Sequence, residues 1–157
     1  MAIEKGDKAP DFTLKSTDNT EFHLYDEIKN GPVLLNFYVG DFGINCSNYM
    51  GKFAEKFDQM KDAGVHFIGI NNDNMDQHKL FKVRMGLPWN LLFDENQVVA
   101  KQYGAIVGPG HMVTGYTNRE FFLIGQDGTV LYTWKADEPP TLPKFDELLA
   151  DVKAALQ

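Results

Sequence analysis

Apolar positions along the chain alternate between strand-like runs and helical spacings. An uninterrupted apolar and β-branched run at 33–39 predicts a strand buried on both faces, and a similar run at 65–70 predicts a second one. Between these runs, apolar side chains recur at spacings of three and four, which predicts one long helix. They are Met50, Phe53, Ala54, Phe57 and Met60. The centre of the chain therefore has the order strand, helix, strand.

Further strands and helices surround this centre. Short strands at 12–14 and 21–24, with a turn at 16–19, predict a hairpin near the N-terminus. Glycine, proline and capping residues delimit the elements that follow the second buried strand. These are a helix at 75–85, a short strand at 91–93, a helix at 98–103 capped by Asp94, a hairpin of strands at 120–124 and 129–134, and a last helix with Pro143 in its first turn. The order predicts one α/β domain, residues 1–157, with a central mixed β-sheet flanked by helices and an N-terminal β-hairpin.

The only cysteine, Cys46, lies between the central strand and the long helix. The strand stops at a turn with two glycines, Gly40 and Gly43, so the thiol falls at the helix N-terminus. Unpaired N–H groups and the positive end of the helix dipole favour an anion there, and cysteines so placed have pKa values lowered to roughly 3.5–7.5. We interpret Cys46 as a reactive thiol. The alternative is an inert cysteine that packs as a small apolar side chain.

Composition narrows the functional classes. The net charge is −7 and the sequence has no cluster of basic residues, which argues against a nucleic-acid surface. No apolar run approaches the roughly 18 residues of a membrane span, and the N-terminus lacks the apolar core of a secretory signal. One cysteine forms no internal disulfide, so we expect a reducing compartment, the cytoplasm, and no membrane contact. The four histidines lack the spacing of metal ligands, and we expect no metal and no cofactor.

Four segments resemble the motifs of one family, in register and with matching spacing. GDKAPDF at 6–12 resembles G-x-x-A-P-x-F, and FYVGDFGINCS at 37–47 is similar to F-Y-P-x-D-F-T-x-x-C-T. GLPWNLLFD at 86–94 resembles G-L-P-F-x-L-L-S-D, and REFFLIGQDG at 119–128 resembles R-x-x-F-L-I-D-x-x-G. By these motifs the chain resembles the peroxiredoxins, in the alkyl hydroperoxide reductase/thiol-specific antioxidant and bacterioferritin-comigratory-protein branch of the thioredoxin fold.

This resemblance implies a thiol peroxidase, with no cofactor. Cys46 would be the peroxidatic nucleophile that attacks hydrogen peroxide or an alkyl hydroperoxide and becomes a sulfenic acid. Arg119 would be the cation that stabilises the thiolate, although a solvated surface arginine is the alternative for this residue. Val39, Phe42 and Gly43 would contact the substrate.

Three positions depart from the family pattern. Val39 replaces a proline, Gly43 replaces the threonine whose hydroxyl binds thiolate and peroxide, and Tyr49 replaces a glutamate. Loss of a donor that orients the substrate lowers turnover. The departures therefore favour an alternative function on the same fold, a redox sensor or interaction protein that has lost catalytic turnover.

The single cysteine and its aromatic neighbours give expectations about partners. With no second thiol in the chain, a sulfenic acid on Cys46 has to be reduced by an external thiol or a thioredoxin-like protein, the one-cysteine mode. Aromatic residues near the thiol are consistent with either a dry pocket or the surface of a homodimer. They are Phe37, Phe42 and Tyr49.

Overall fold

The computed structural model of the protein describes residues 2–157. Its helices and strands, in chain order, are β1 (Thr13–Ser16), β2 (Glu21–His23), α1 (Leu24–Glu27), β3 (Val33–Phe37), α2 (Ile44–Glu55), α3 (Phe57–Asp62), β4 (His66–Asn71), α4 (Met75–Met85), β5 (Leu91–Phe93), α5 (Val98–Tyr103), β6 (Glu120–Ile124), β7 (Val130–Lys135) and α6 (Phe145–Ala155). Within the described residues, no helix combines the length and apolar character that a bilayer span requires.

One mixed sheet joins these strands in the order β2-β1-β5-β4-β3-β6-β7. Strands β3, β4 and β5 run parallel, whereas β1 pairs antiparallel with β5, and β6 pairs antiparallel with β3. Strands β1 and β2 form the N-terminal hairpin. The structure confirms the predicted α/β class, the central mixed sheet and the hairpin. Strand β3 lies inside the sheet, and all five of its residues are buried.

Two hydrophobic cores cover the two faces of the sheet, because successive strand residues point to opposite faces. Leu34 and Phe121 belong to the core beneath α2, α3, α4 and α6. Leu35 and Phe122 belong to the core beneath α1 and α5. The packing in the first core holds α2 against the sheet, with its N-terminus at the carboxyl end of β3.

The prediction of one long helix after the cysteine is wrong, since this segment forms two helices, α2 and α3. Lys56 leaves the helical region (φ −108°, ψ 11°), and its N–H donates to the Phe53 carbonyl three residues earlier. The break redirects the chain, and Phe57 in α3 packs against Trp89 with ring centroids 5.5 Å apart. The packing of Phe57 on Trp89 therefore accompanies the break at Lys56, which the three- and four-residue spacing of the apolar residues does not reveal.

The bounds of two further elements differ from the predictions. Strand β3 ends at Phe37 rather than Val39, because the chain leaves the sheet to form the glycine turn. Helix α6 begins at Phe145, so Pro143 precedes it instead of lying in its first turn. The residue between them, Lys144, is extended (φ −100°, ψ 125°) and occupies the N-cap position.

Candidate active site

Cys46 is the third residue of α2, at the carboxyl end of the central strand. Gly43 is the N-cap residue, and its carbonyl accepts the Ser47 N–H at 2.8 Å. The N–H groups of residues 44–46 therefore have no partner within the helix. Cys46 is only 1% exposed. The thiol lies where the sequence places it, among backbone donors that favour a negative charge.

Arg119 lies beside the thiol because β6 pairs antiparallel with β3. The register of that pair sets Phe37 opposite Glu120, which brings the residue before β6 to the end of the central strand. Arg119 Nη2 lies 3.6 Å from Cys46 Sγ, and Arg119 is 1% exposed. The interpretation of Arg119 as a solvated surface residue is therefore wrong. A permanently charged guanidinium faces the sulfur in a buried environment.

Two carbonyls and an aromatic ring hold the guanidinium in place. Arg119 Nη1 donates to the Pro139 carbonyl at 2.5 Å and to the Thr141 carbonyl at 3.1 Å. The guanidinium carbon lies 5.4 Å from the centre of the Tyr49 ring, within the range of a cation–π contact. Arg119 Nε has no hydrogen-bond partner within the described residues. Because Nη2 carries two hydrogens and Nε one, the guanidinium keeps N–H groups that do not bind protein carbonyls.

Tyr49 lies one helical turn beyond Cys46, on the same face of α2. Its hydroxyl donates to Asn36 Oδ1 at 3.1 Å, in the middle of β3. Burial, together with the nearby sulfur of Cys46, raises the pKa of Tyr49 well above its ordinary value. The phenol therefore stays neutral, and this position adds no negative charge next to the thiolate. A glutamate here, as the family pattern has it, adds a carboxylate instead.

A cleft of about 430 Å³ has Cys46 in its wall. Four of the five residues predicted to form the site line it: Val39, Gly43, Cys46 and Arg119. Phe42 does not line the cleft, although it lies within the turn. Its backbone has a positive φ of 63°, and its ring packs edge-on against Phe81, with centroids 5.1 Å apart. The structure thus separates Phe42 from the residues that face the thiol.

A buried hydrogen-bond network anchors the turn at 40–43. Asp41 Oδ1 accepts the Tyr38 hydroxyl at 2.5 Å, and Asp41 Oδ2 lies 2.6 Å from His78 Nδ1. His78 Nε2 lies 3.0 Å from the Leu92 carbonyl, so this nitrogen carries a hydrogen. The contact between Asp41 and His78 needs a further proton, on Nδ1 or on the carboxyl group. Both side chains are fully buried, so this pair links the turn to α4 and β5.

Several residues of the cleft have no clear signal in the sequence. Asp73, in the polar loop after β4, accepts the Asp41 N–H at 2.7 Å; its location follows from the rule that carboxyl ends of parallel strands share an edge. Val113 and Tyr116 come from the irregular loop between α5 and β6, and Pro139 comes from the segment before α6. No periodicity or spacing predicts that these loops reach Cys46.

Comparisons with known proteins extend this description. The AhpC/TSA family matches residues 5–133. A bcp-type relative from Coxiella burnetii is 36% identical over 136 residues, which are 85% of this chain and 89% of that protein. Peroxiredoxin Q, chloroplastic, from Oryza sativa subsp. japonica is 31% identical over 138 residues, and the match covers 88% of this chain and 62% of that protein. The crystal structure of peroxidoxin BcpB from Mycobacterium tuberculosis superposes with a TM-score of 0.82 at 25% identity, covering 97% of each chain.

The sheet is thioredoxin-like, and it places a buried guanidinium beside a thiol at the start of a helix. Together with these relatives, this site defines a thiol-dependent peroxidase. The chain belongs to the AhpC/TSA family, among its bcp-like peroxiredoxins, as the four motifs predict. The alternative function, a redox sensor or interaction protein without turnover, is not favoured by these relatives.

Proposed function

We propose that this protein reduces hydrogen peroxide or alkyl hydroperoxides through Cys46, in the one-cysteine mode. The observation that carries the proposal is the buried contact of 3.6 Å between Arg119 Nη2 and Cys46 Sγ. A positive charge at this distance stabilises a negative charge on sulfur more strongly in a buried site than in water. The thiolate, rather than the thiol, is the nucleophile that attacks peroxides.

The reaction begins with displacement at the O–O bond. The Cys46 thiolate attacks one oxygen of the hydroperoxide ROOH, an S–O bond forms and the O–O bond breaks. The sulfur is oxidised to a sulfenic acid that keeps the hydroxyl, while the leaving RO⁻ takes a proton to become ROH, or water when R is hydrogen. Negative charge moves from the sulfur to the leaving oxygen, so donors to both atoms lower the barrier.

The residues of the cleft have distinct roles in this proposal. Arg119 binds the sulfur through Nη2, and its remaining N–H groups donate to the hydroperoxide oxygen that the sulfur attacks. Val39 and Gly43 form the wall next to the sulfur and set the size of the substrate. Phe42 takes no part in binding, because its side chain packs on Phe81 outside the cleft.

An external reductant completes the cycle. A thiol R′SH attacks the sulfenic acid, water leaves, and a mixed disulfide forms on Cys46; a second thiol then releases the reduced enzyme. The single cysteine of the chain supports this sequence of steps. We expect the reductant to be a low-molecular-weight thiol or a thioredoxin-like protein. Because such reductants act in reducing compartments, we place the protein in the cytoplasm, which fractionation of the source cells would test.

A homodimer is a second part of the proposal. Ile44, at the cleft, is 88% exposed, and Met112, in the nearby irregular loop, is fully exposed. Ile44 lines the cleft together with Val113 and Tyr116, and exposed apolar side chains grouped in this way are typical of interfaces. We expect Ile44→Asp to shift the sedimentation coefficient of the protein toward that of a monomer, while Val83→Asp, at an exposed position of α4 away from the cleft, does not. A wild-type protein that sediments as a monomer at all concentrations contradicts the dimer.

Stopped-flow mixing with hydrogen peroxide tests the peroxidase. We expect Cys46 to be oxidised far faster than free cysteine at the same pH, and Arg119→Met to lower the rate constant by at least roughly a hundredfold, as for loss of one oxyanion donor. Arg84→Met is the matched control, because Arg84 is exposed on α4 and its removal leaves the rate unchanged. A wild-type rate no higher than that of free cysteine would refute the proposal.

A further inference from the structure

The irregular loop between α5 and β6 contributes one tyrosine to the wall of the cleft. Tyr116 is the only cleft-lining residue with a hydroxyl group, among the residues that the structure describes. Backbone hydrogen bonds hold it on both sides: its N–H donates to the Val113 carbonyl at 3.0 Å, and its carbonyl accepts the Val107 N–H at 2.8 Å. Its hydroxyl has no hydrogen-bond partner within residues 2–157, and the residue is 54% exposed. The backbone of Tyr116 is thus held by hydrogen bonds, while its hydroxyl is available to donate to a ligand.

A hydrogen-bond donor on the open side of the cleft would stabilise the leaving oxygen of a peroxide. Displacement is in line, so the leaving oxygen lies beyond the attacked oxygen, on the side away from the sulfur. Cys46 and Arg119 are both 1% exposed and form the inner end of the cleft, whereas half-exposed Tyr116 lies toward solvent. Gly43, next to the helix start, has no side chain and supplies no hydroxyl there.

The other side-chain donors of the cleft fit this task less well. Arg119 is committed to the sulfur and to two carbonyls through three of its N–H groups. Asn45 is exposed and also lines the cleft, but it directly precedes Cys46 at the start of α2 and therefore lies on the sulfur side of the substrate. Asp41 and Asp73 have carboxylates, which accept hydrogen bonds when ionised.

We propose that the Tyr116 hydroxyl donates a hydrogen bond to the leaving oxygen of the hydroperoxide, which makes Tyr116 a further catalytic residue. This inference rests on the peroxidase function proposed above. It gives the cleft a hydroxyl donor, which Gly43 at the start of α2 does not supply.

Comparison of two reactions of the same thiolate tests the assignment. Tyr116→Phe lowers the rate constant for hydrogen peroxide by roughly ten- to a hundredfold, as expected for one oxyanion donor, but leaves alkylation of Cys46 by iodoacetamide unchanged. Tyr132→Phe is the matched control, because it removes a phenol hydroxyl that bonds Asp151, away from the cleft, and changes neither rate. Equal peroxide rates for wild type and Tyr116→Phe overturn the inference, as does an equal fall in both reactions. Failure of the wild type itself to react faster than free cysteine instead refutes the peroxidase.

A second hydroxyl introduced at Gly43 gives an independent test. Gly43 has φ −63° and ψ 142°, which threonine adopts readily, and a Cβ there meets the Gly40 carbonyl oxygen at an ordinary contact of 3.4 Å. In the Gly43→Thr background, the new hydroxyl lies beside the sulfur at the helix start, whereas Tyr116 acts on the leaving oxygen, so we expect Tyr116→Phe to lower the peroxide rate by the same factor as in the wild type. A smaller loss in the Gly43→Thr background contradicts the assignment of Tyr116 to the leaving oxygen.

Discussion

Glu120 follows Arg119 along the chain and lies on the opposite face of the sheet. It is 3% exposed, and its Oε2 accepts the Asn118 Nδ2 group at 2.9 Å. Its Oε1 has no hydrogen bond within the described residues, and Lys135 Nζ lies 4.0 Å away. Burial raises the pKa of Glu120 to about 7, against the opposing effects of Asn118 and Lys135. At the scale of single residues, Arg119 faces the site just before β6, and the next residue, Glu120, is a carboxylic acid buried on the other face of the sheet.

The Glu120→Gln variant tests this buried acid. The pKa of the carboxyl is about 7 in the fold and near 4.5 in the unfolded chain, so between these values the folded state holds a proton that the unfolded state has lost. Stability contributed by this group therefore falls as pH rises and is lost above about 7, a change of roughly 3 kcal/mol. We expect the glutamine variant to gain roughly 1–3 kcal/mol over wild type at pH 8.5, and less at pH 5.5.

Urea unfolding of both proteins between pH 5.5 and 8.5 measures this difference. Glu21→Gln, an exposed substitution, is the control and leaves the pH dependence unchanged. A stability difference between wild type and Glu120→Gln that is constant across this range contradicts a raised pKa for the carboxyl.

At the scale of elements, short helices depend on side chains outside them. Helix α5 has six residues and follows a 3₁₀ turn at Glu95–Gln97. Asp94, fully buried, accepts the Val99 and Ala100 N–H groups at 2.9 Å each, so it caps α5 across the turn. Burial raises the pKa of Asp94, and these two hydrogen bonds oppose the rise. A helix this short is marginal by itself, which makes its cap important.

Asp94→Ala removes both acceptors from the start of α5. Two buried N–H groups then lose their partner, and we expect the free energy of unfolding to fall by roughly 1–3 kcal/mol. Asp94→Asn keeps one acceptor oxygen and loses less. Denaturant titration of the three proteins measures these losses, and an alanine variant as stable as the wild type would mean that the cap contributes nothing.

The network of Asp41, His78 and Tyr38 joins β3, α4 and β5 beneath the site. His78→Ala leaves the buried Asp41 carboxyl with the Tyr38 hydroxyl as its remaining side-chain partner, and we expect a loss of roughly 3–5 kcal/mol in stability. The double variant with Asp41→Asn then loses less than the sum of the two single variants, because no unpaired charge is left. Additive losses in a double-mutant cycle contradict direct coupling of the pair.

At the scale of the whole molecule, the sheet brings together residues that are 73 positions apart, Cys46 and Arg119. The thiol packs among core side chains, yet its sulfur faces a charged donor rather than hydrocarbon.

Cys46→Ser separates the chemistry from the fold. The serine hydroxyl can accept a hydrogen bond from Arg119 in the same place, so we expect a change in unfolding free energy of roughly 1 kcal/mol or less. Peroxide consumption and labelling by a sulfenic-acid reagent are abolished. A variant that unfolds, measured by circular dichroism, shows instead that Cys46 is a structural core residue.

The sequence predicted a site residue correctly where the signal lay in neighbouring residues of the chain, and missed it where the position depends on the path of a loop. The strand, glycine turn and helix start located Cys46, and the motif at 119–128 located Arg119. Phe42 lay within the matched motif, but its positive φ turns the side chain onto Phe81. Asp73 and Tyr116 lie in loops, where neither hydrophobic period nor spacing reports which side chain reaches the cleft.

The sequence by itself determined the order of the strands, the mixed sheet and the position of the thiol at a helix N-terminus, because these follow from local periodicity and turn chemistry. Only the tertiary structure decided that the guanidinium is buried against the sulfur, that Tyr49 is a neutral support for it, and that a loop phenol lines the cleft. Those contacts depend on strand register and loop paths, which join residues far apart in the chain.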